Sequence, residues 1–434
     1  MRDNIRNVNG TRADDQPAYA WQYPLVFPTR RFSTGEGLTL AAHVRGRYRP
    51  DFMPRHTPPS SHDSGRNVEA LFVRSATQAN AAGTLRFAGR ALPDLLDFHR
   101  PFPRKLTVSA LGIGSYLGDC TDDEDERYRV SVREALVAGI NVVDTASNYR
   151  CQRSERAVGH AVEEAIAAGE VRRDEVVVCT KGGYIASDGA PPASREAYDQ
   201  WLQDTLFAPG IVSPDEIARS GHSIAAGFLA HQLAQSLVNL RLKTVDVYYL
   251  HNPEEQLLAV DRPTFLIRMR AAFAVLEEAA ADGRICGYGC ATWIGLRVAP
   301  EHRQHLTLAE LIAIAREVGG TTHHFRAVQL PINLAMPEAA RLPTQPLGRK
   351  LVTLLEAADA LGLGVVASAP LLQGRLSNGL PKEVHALFPE CTTDAQRALR
   401  FASSLPGVAT VLAGMRRVGH VHENLAAWRD ATPV

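Results

Sequence analysis

The chain has 434 residues, 45% of them hydrophobic, and its 47 basic residues are balanced by 47 acidic ones. A formal charge of zero gives no electrostatic handle on nucleic acid or anionic lipid, and no apolar run approaches the ~20 residues of a membrane span. The length suits one barrel of roughly 250 to over 400 residues, or two smaller domains.

The six cysteines (Cys120, Cys151, Cys179, Cys286, Cys290 and Cys391) lie mostly inside apolar segments. Only Cys286 and Cys290 are close in sequence, and no second Cys or His pair stands at ligand spacing. They read as small buried hydrophobes in a reducing compartment rather than as a metal site. Five of the 47 basic residues are lysine and 42 are arginine. That bias suggests a high-GC, bacterial coding sequence and a cytoplasmic protein, and it makes a lysine at a strand end stand out.

Residues 1–66 are rich in Pro, Ser, Asn and Arg, and the run from Arg49 to Ser61 carries too many prolines for a helix or a central strand. This composition predicts a disordered arm, or a stretch translated upstream of the true start. From Val68 to Leu95 apolar residues recur at helical spacing, which predicts a short outlying helix. Strand one is expected at Ala110–Gly114, and after it strand and helix patterns alternate, as a parallel sheet requires. Helices are expected over Glu126–Ala138, Ser154–Ala168, Gly227–Leu240, Pro263–Ala281 and Leu306–Val318. Three more are expected over Arg349–Leu361, Thr393–Ser403 and Val418–Trp428. Several end in a glycine (Gly139, Gly283, Gly362), a common helix stop. Eight strands and eight helices count out to a (β/α)8 barrel over 67–434. An open doubly wound sheet fits less well, because no G-x-G-x-x-G turn follows any strand. Three connections exceed what a barrel needs, 182–224, 292–305 and 331–349. All leave carboxyl strand ends, so they are expected to cover the mouth.

Three expected strands end abruptly in an ionisable residue: Gly139–Asp144, Val176–Lys181 and Val245–His251. Tyr149 follows five residues after Asp144. In a parallel barrel such ends ring one mouth, where polar residues read as catalytic.

An Asp, a Tyr, a Lys and a His so placed resemble the constellation of the aldo/keto reductases. The likeness runs from about Leu106 to about Trp428 and is strongest in Asp144-Thr145-Ala146-Ser147-Asn148-Tyr149, followed by Ser154-Glu155 and Gly159, and in Leu250-His251-Asn252-Pro253. The segment His99–Val108 is similar to the hairpin that closes the barrel floor in that family. The resemblance implies reduction of an aldehyde, ketone or sugar-like carbonyl, or the reverse, with NADP(H) preferred and NAD(H) possible. It implies Tyr149 as proton donor, Lys181 tuning it, Asp144 anchoring Lys181, and His251 positioning the substrate. The chemistry suits those residue types. A free phenol, with a pKa near ~10, is a sluggish acid at neutral pH, and an adjacent ammonium favours the phenolate. A low-turnover nucleotide sensor or scaffold built on the same barrel is the alternative.

The cofactor residues implied by the resemblance fit less evenly. Gln329 matches the glutamine that holds the nicotinamide carboxamide. Ala291 and Thr292 stand where the family usually has Ser-Asn, a loss on the order of 1 kcal/mol unless replaced. Ser368 stands where a stacking Tyr is frequent. Leu371-Leu372-Gln373-Gly374-Arg375-Leu376 resembles the pyrophosphate loop. Gly414, Arg416, Arg417, His420, Glu423 and Asn424 resemble the adenosine segment, with the Arg pair suited to a 2′-phosphate. His420 replaces an arginine common at its position. Tyr184, Tyr198, Trp201, Phe207 and Trp293 are expected to line an aromatic pocket, and nothing in the sequence names the substrate or the oligomeric state.

Overall fold

A computed structural model describes residues 76–429 apart from 93, 94, 96 and 219. The arm expected over 1–66 and the start of the helix expected from Val68 lie outside them. Eight parallel strands close into a barrel. In chain order they are β1 (Leu111–Gly114), β2 (Val142–Asp144), β3 (Val177–Gly182), β4 (Val247–His251), β5 (Tyr288–Ala291), β6 (Phe325–Pro331), β7 (Gly364–Ser368) and β8 (Val408–Gly414). Each pairs with its sequence neighbours, and β8 closes on β1 through Val411–Leu111 to Gly414–Gly114. Eight helices alternate with them: α1 (Asp122–Val137), α2 (Arg153–Ala167), α3 (Ala226–Asn239), α4 (Arg262–Ala281), α5 (Leu308–Gly319), α6 (Leu354–Ala360), α7 (Asp394–Ser403) and α8 (Val418–Ala426).

Local sequence accounts for the boundaries. Thr121, Asp261, Thr307, Thr353 and Thr393 each cap a helix by accepting from a first-turn N–H. The helix expected over Arg349–Leu361 begins only at Leu354. Thr353 and Glu356 form a capping box there, and Lys350–Val352 instead pairs with Gln345–Leu347 in a hairpin.

Strand alternation sorts the core into two layers. Val142, Val177, Cys179, Val247, Tyr249, Ala327, Val366 and Leu412 fill the barrel interior. Val143, Val178, Tyr248, Leu250, Val328, Val365 and Val411 pack outward under the helices. The hairpin of His99–Phe102 and Leu106–Ser109 plugs the floor, its Phe102, Leu106 and Val108 joining the inner layer. Gly364 opens β7 because a Cβ there would stand 2.4 Å from the Phe102 ring. Outside the barrel, helix Ala81–Arg90 lies against this floor. The Ala79 N–H donates to Asp246 at 2.7 Å, and Asp246 also accepts from the Val178 N–H and from Arg173, both at 2.8 Å.

The connections after β3 and after β5 line the cavity at the mouth, no residue of 331–349 does, and two of the three carry structure of their own. Between β3 and α3 lie helix Arg195–Leu202 with its π-helical continuation Gln203–Phe207, and a 3-10 turn at Pro214–Glu216. Ile185, Leu206 and Val212 gather there around Phe228 of α3 as a small separate core. The segment after β6 holds the short helix Glu338–Arg341 and leads into the hairpin of Gln345–Leu347 with Lys350–Val352. The segment after β5 has neither helix nor strand. It is pinned instead on Glu254, whose Oε1 accepts from the N–H groups of Trp293, Ile294 and Gly295 at 2.8, 2.9 and 3.1 Å.

Candidate active site

The parity that sorts the core also aims the polar residues. Asp144 shares the face of Val142, Lys181 that of Val177 and Cys179, His251 that of Val247 and Tyr249, and Gln329 that of Ala327, so all four point into the barrel at its carboxyl end. Tyr149 arrives from the loop after β2. There Lys181 is buried and ion-pairs with Asp144, and its Nζ donates to the Thr145 carbonyl at 2.9 Å and to the Tyr149 hydroxyl at 3.3 Å. Gln329 completes the group, its Nε2 donating to the other Asp144 oxygen at 2.8 Å. The structure thus brings the four expected catalytic residues together.

Electrostatics follow from burial. Desolvation works to push Asp144 up and Lys181 down, while their ion pair opposes both. Lys181 ends above its ordinary value and keeps its proton, and Asp144 stays above the usual carboxylate range. Burial also raises the Tyr149 hydroxyl, against a downward pull from Lys181. Here the structure corrects the simplest expectation: the ammonium offsets part of the burial effect, and the phenol still lies above its ordinary value. Burial drives the His251 imidazole well below 6.5, with Lys181 adding to the effect, so it is neutral at physiological pH.

Around the tetrad stand the expected Tyr184 and two residues, Tyr116 and His222, with no local signature in the sequence. Tyr116 packs edge-on against Tyr149 with ring centres 5.0 Å apart, and Tyr184 stands perpendicular to His251 at 5.0 Å. His222, on the long connection after β3, is fully buried and bonds the His251 carbonyl through Nε2 at 2.7 Å. Its Nδ1 faces the Gln256 amide at 2.9 Å, and that amide also donates to the His222 carbonyl at 2.8 Å. This pattern fixes the neutral tautomer with hydrogen on Nε2, so His222 holds the backbone of His251.

A cavity of about 1400 Å³ runs over the mouth. Asp144, Tyr149 and His251 line it, along with Thr292, Gln329, Ser368, Leu371, Gln373, Gly414, Arg416, His420, Glu423 and Asn424. Arg417 is absent from this wall: it is the exposed N-cap residue of α8. Arg416 turns inward but is shared with Glu124, at 3.2 Å. Of the expected aromatics, Tyr184, Tyr198 and Trp293 line the cavity, whereas Trp201 and Phe207 pack into the small core of the long connection.

Two features fit a nicotinamide nucleotide. Thr292 Oγ1 is buried in the wall without a hydrogen-bond partner, beside the position where a side-chain donor had seemed missing. Leu372, Gln373 and Gly374 hold consecutive positive φ values of 46°, 55° and 87°, a turn of the kind that gathers backbone N–H groups toward an anion. Among the described residues no His, Cys, Asp and Glu cluster could hold a metal, and no helix is long and apolar enough to cross a membrane.

Comparison with known proteins agrees with the fold. Residues 110–313 match the model of the aldo/keto reductase family. The chain is 23% identical to the L-galactose dehydrogenase of Arabidopsis thaliana, over 74% of this chain and 85% of that protein. It is 24% identical to the L-glyceraldehyde 3-phosphate reductase of Escherichia coli O157:H7, over 75% and 86%. Its fold is similar to that of a Klebsiella pneumoniae aldo/keto reductase solved with NADP and acetate, with a TM-score of 0.52 and 20% identity over 78% of this chain and 92% of that one. The matched segment runs from β1 into α5 and carries Asp144, Tyr149, Lys181 and His251, so residues 110–313 form an aldo/keto reductase family domain.

Proposed function

We propose that this protein is an NADP(H)-dependent oxidoreductase that reduces a small aldehyde, ketone or sugar-like carbonyl to the alcohol, or runs the reverse reaction. The observation that carries this reading is the buried Lys181 ammonium held between Asp144 and the Tyr149 hydroxyl. Thr292 and Gln329 would hold a nicotinamide, which would supply or accept the hydride. The chain's own residues do the rest. Tyr149 gives its proton to the carbonyl oxygen as negative charge develops there, and the Lys181 charge stabilises the phenolate left behind. Asp144 keeps that ammonium oriented. The neutral His251 donates a hydrogen bond to the carbonyl oxygen, or accepts one from the alcohol in the reverse direction, without placing a second full charge beside Lys181. Leu371–Leu376 would hold the pyrophosphate and Gly414–Asn424 the adenosine end. The NADP-bound relative and the Arg416 guanidinium in the wall favour the phosphorylated nucleotide.

The test is NADPH oxidation with a panel of aldehydes and ketones. The wild type is expected to turn over, and Tyr149→Phe to lose ~10²-fold or more in kcat, the scale of general acid catalysis. Equal rates for the two would remove Tyr149 from its role. Nucleotide binding with no turnover by a folded wild type would point to the sensor or scaffold reading.

A further inference from the structure

The segment after β5 supplies part of the cavity wall without a helix or strand to hold it: Thr292, Trp293, Ile294 and Gln304 all line the cavity. Its backbone N–H groups find their partners in an order that fixes its shape. The Thr292 N–H makes the last bond of the barrel ladder, to the Gln329 carbonyl at 2.8 Å. The next three, of Trp293, Ile294 and Gly295, all go to one atom, Glu254 Oε1. Glu254 lies three residues after His251, in the 3-10 turn Pro253–Leu258. That turn is tied to β5 just upstream, where the Asn252 N–H donates to the Ala291 carbonyl at 2.6 Å. Gln304 Nε2 donates to the Glu254 carbonyl at 3.4 Å, and the Leu306 N–H to the Gly295 carbonyl at 2.8 Å. Glu254 is buried, and its Oε2 has no partner among the described residues, so the carboxylate is committed to the loop. It fills, from within the chain, the kind of backbone nest that elsewhere takes an anion.

We propose that Glu254 is a positioning residue for the nicotinamide end of the nucleotide, setting Thr292 and Trp293 in the wall and tying them to the His251 segment. This rests on the reductase reading above, in which Thr292 and Gln329 would hold the ring. Glu254 is itself absent from the cavity wall, so it acts through the loop. The barrel fixes Thr292 on one side only, through the ladder bond to Gln329. On the other side, removal of the Glu254 carboxylate leaves three consecutive N–H groups without their acceptor, and the backbone must turn to satisfy them. Thr292 Oγ1 is buried in that wall without a partner, so its direction depends on the backbone on both sides. Gly295 shows how closely loop and turn are fitted: a Cβ there would stand 3.3 Å from the Glu254 Cβ and 2.9 Å from a Leu306 methyl. The adenosine segment follows β8, three strands round the barrel from β5, and shares none of these bonds.

The test is calorimetric titration of the full-length chain with NADPH, NADH and 2′,5′-ADP, the last a fragment that has the adenosine end and no nicotinamide. Glu254→Ala is expected to weaken NADPH and NADH alike, by about tenfold or more, the worth of one or two hydrogen bonds. It should leave 2′,5′-ADP within about twofold of the wild type, which a general loosening of the fold would not do. Glu254→Gln keeps an acceptor oxygen for the three N–H groups, and is expected to stay within about threefold of the wild type for all three ligands. An Ala variant that binds like the wild type would overturn the proposal and leave the reductase reading standing. So would a loss of 2′,5′-ADP as large as that of NADPH, or a Gln variant no better than Ala. A wild type that binds no nucleotide would sink both. If Glu254→Ala does not fold, Glu254→Asp, which keeps the charge but draws it back from the loop, carries the same expectation.

Discussion

Tyr149, Lys181 and His251 set the pH behaviour expected of the site. Reduction needs Tyr149 protonated, and burial holds its hydroxyl above the ordinary phenol value, so the acid form persists across neutral pH. His251, held well below 6.5, keeps its neutral form over the same range. The kcat for carbonyl reduction is therefore expected to stay flat from about pH 6 to about pH 9. Alcohol oxidation needs the phenolate and should rise with pH throughout. A reductive limb centred near 6.5 in a pH–rate profile would show that His251 titrates and refute this account. Lys181→Met removes the pull that favours the phenolate, so the oxidative profile should move to higher pH while kcat falls by ~10²-fold or more. Lys181 and His251 were legible in the sequence because β-strand parity is strict: a polar residue two or four places from inward valines points inward as well. Tyr149, on the loop after β2, was legible only by its place five residues past Asp144 and by the family resemblance. Gln329 was legible only in part. Its strand position placed it in the mouth, but its bond to Asp144 joins residues 185 positions apart, and no local pattern announces that.

At the scale of elements, the barrel was readable because each strand and helix carries its own period and its own cap. The connections were readable only by length. The one after β3 looked like a lid, yet His222 bolts it to the His251 carbonyl and Gln232 holds its start, accepting from the Gly183 N–H at 2.8 Å. Those contacts depend on chain packing far from any motif. The bolt has a thermodynamic signature. Unfolded, the His222 imidazole takes a proton near 6.5; folded, burial lowers it to about 4. Below pH 6.5 the unfolded state holds the extra proton, so stability is lost as pH falls toward 4, by about 1.4 kcal/mol per pH unit for each such histidine. His222→Gln keeps a donor for the His251 carbonyl and removes the titration. Urea melts at steps from pH 7 to 4 should show a shallower decline for the variant than for the wild type, and parallel curves would mean His222 is not buried neutral. The floor carries a second test. Asp246 is buried against Arg173, Ala79 and Val178, so Asp246→Ala strands a buried guanidinium and should lower stability by about 3–5 kcal/mol. A loss under ~1 kcal/mol in the same melts would show that the helix Ala81–Arg90 is docked by other contacts.

Over the whole molecule, a balanced net charge leaves cofactor choice to a few local cations, and the structure changes which of them matter. The sequence offered Arg416 and Arg417 as an equal pair. Helix α8 separates them, sending Arg417 outward as its N-cap and Arg416 into the cavity wall. Arg416 is then shared with Glu124 of α1, 292 positions away, a partner that only the closure of β8 against β1 could bring. On the proposed reading, a 2′-phosphate there takes Arg416 from Glu124, and the affinity it gains is the difference between two charge-assisted bonds. Arg416→Ala is expected to weaken NADPH by up to about tenfold, less than the full ~1.5–3 kcal/mol of one charge-assisted bond, and to leave NADH nearly unchanged. Arg417→Ala should shift either nucleotide by less than about threefold, as an exposed charge does. Glu124→Gln removes the competing carboxylate and should tighten NADPH alone, by up to about tenfold. Calorimetric titration of both nucleotides against the three variants checks all of this. Weaker NADPH binding in Glu124→Gln would mean that Glu124 orients Arg416 for the phosphate instead of competing for it. An undiminished NADPH preference in Arg416→Ala would move phosphate recognition to other residues.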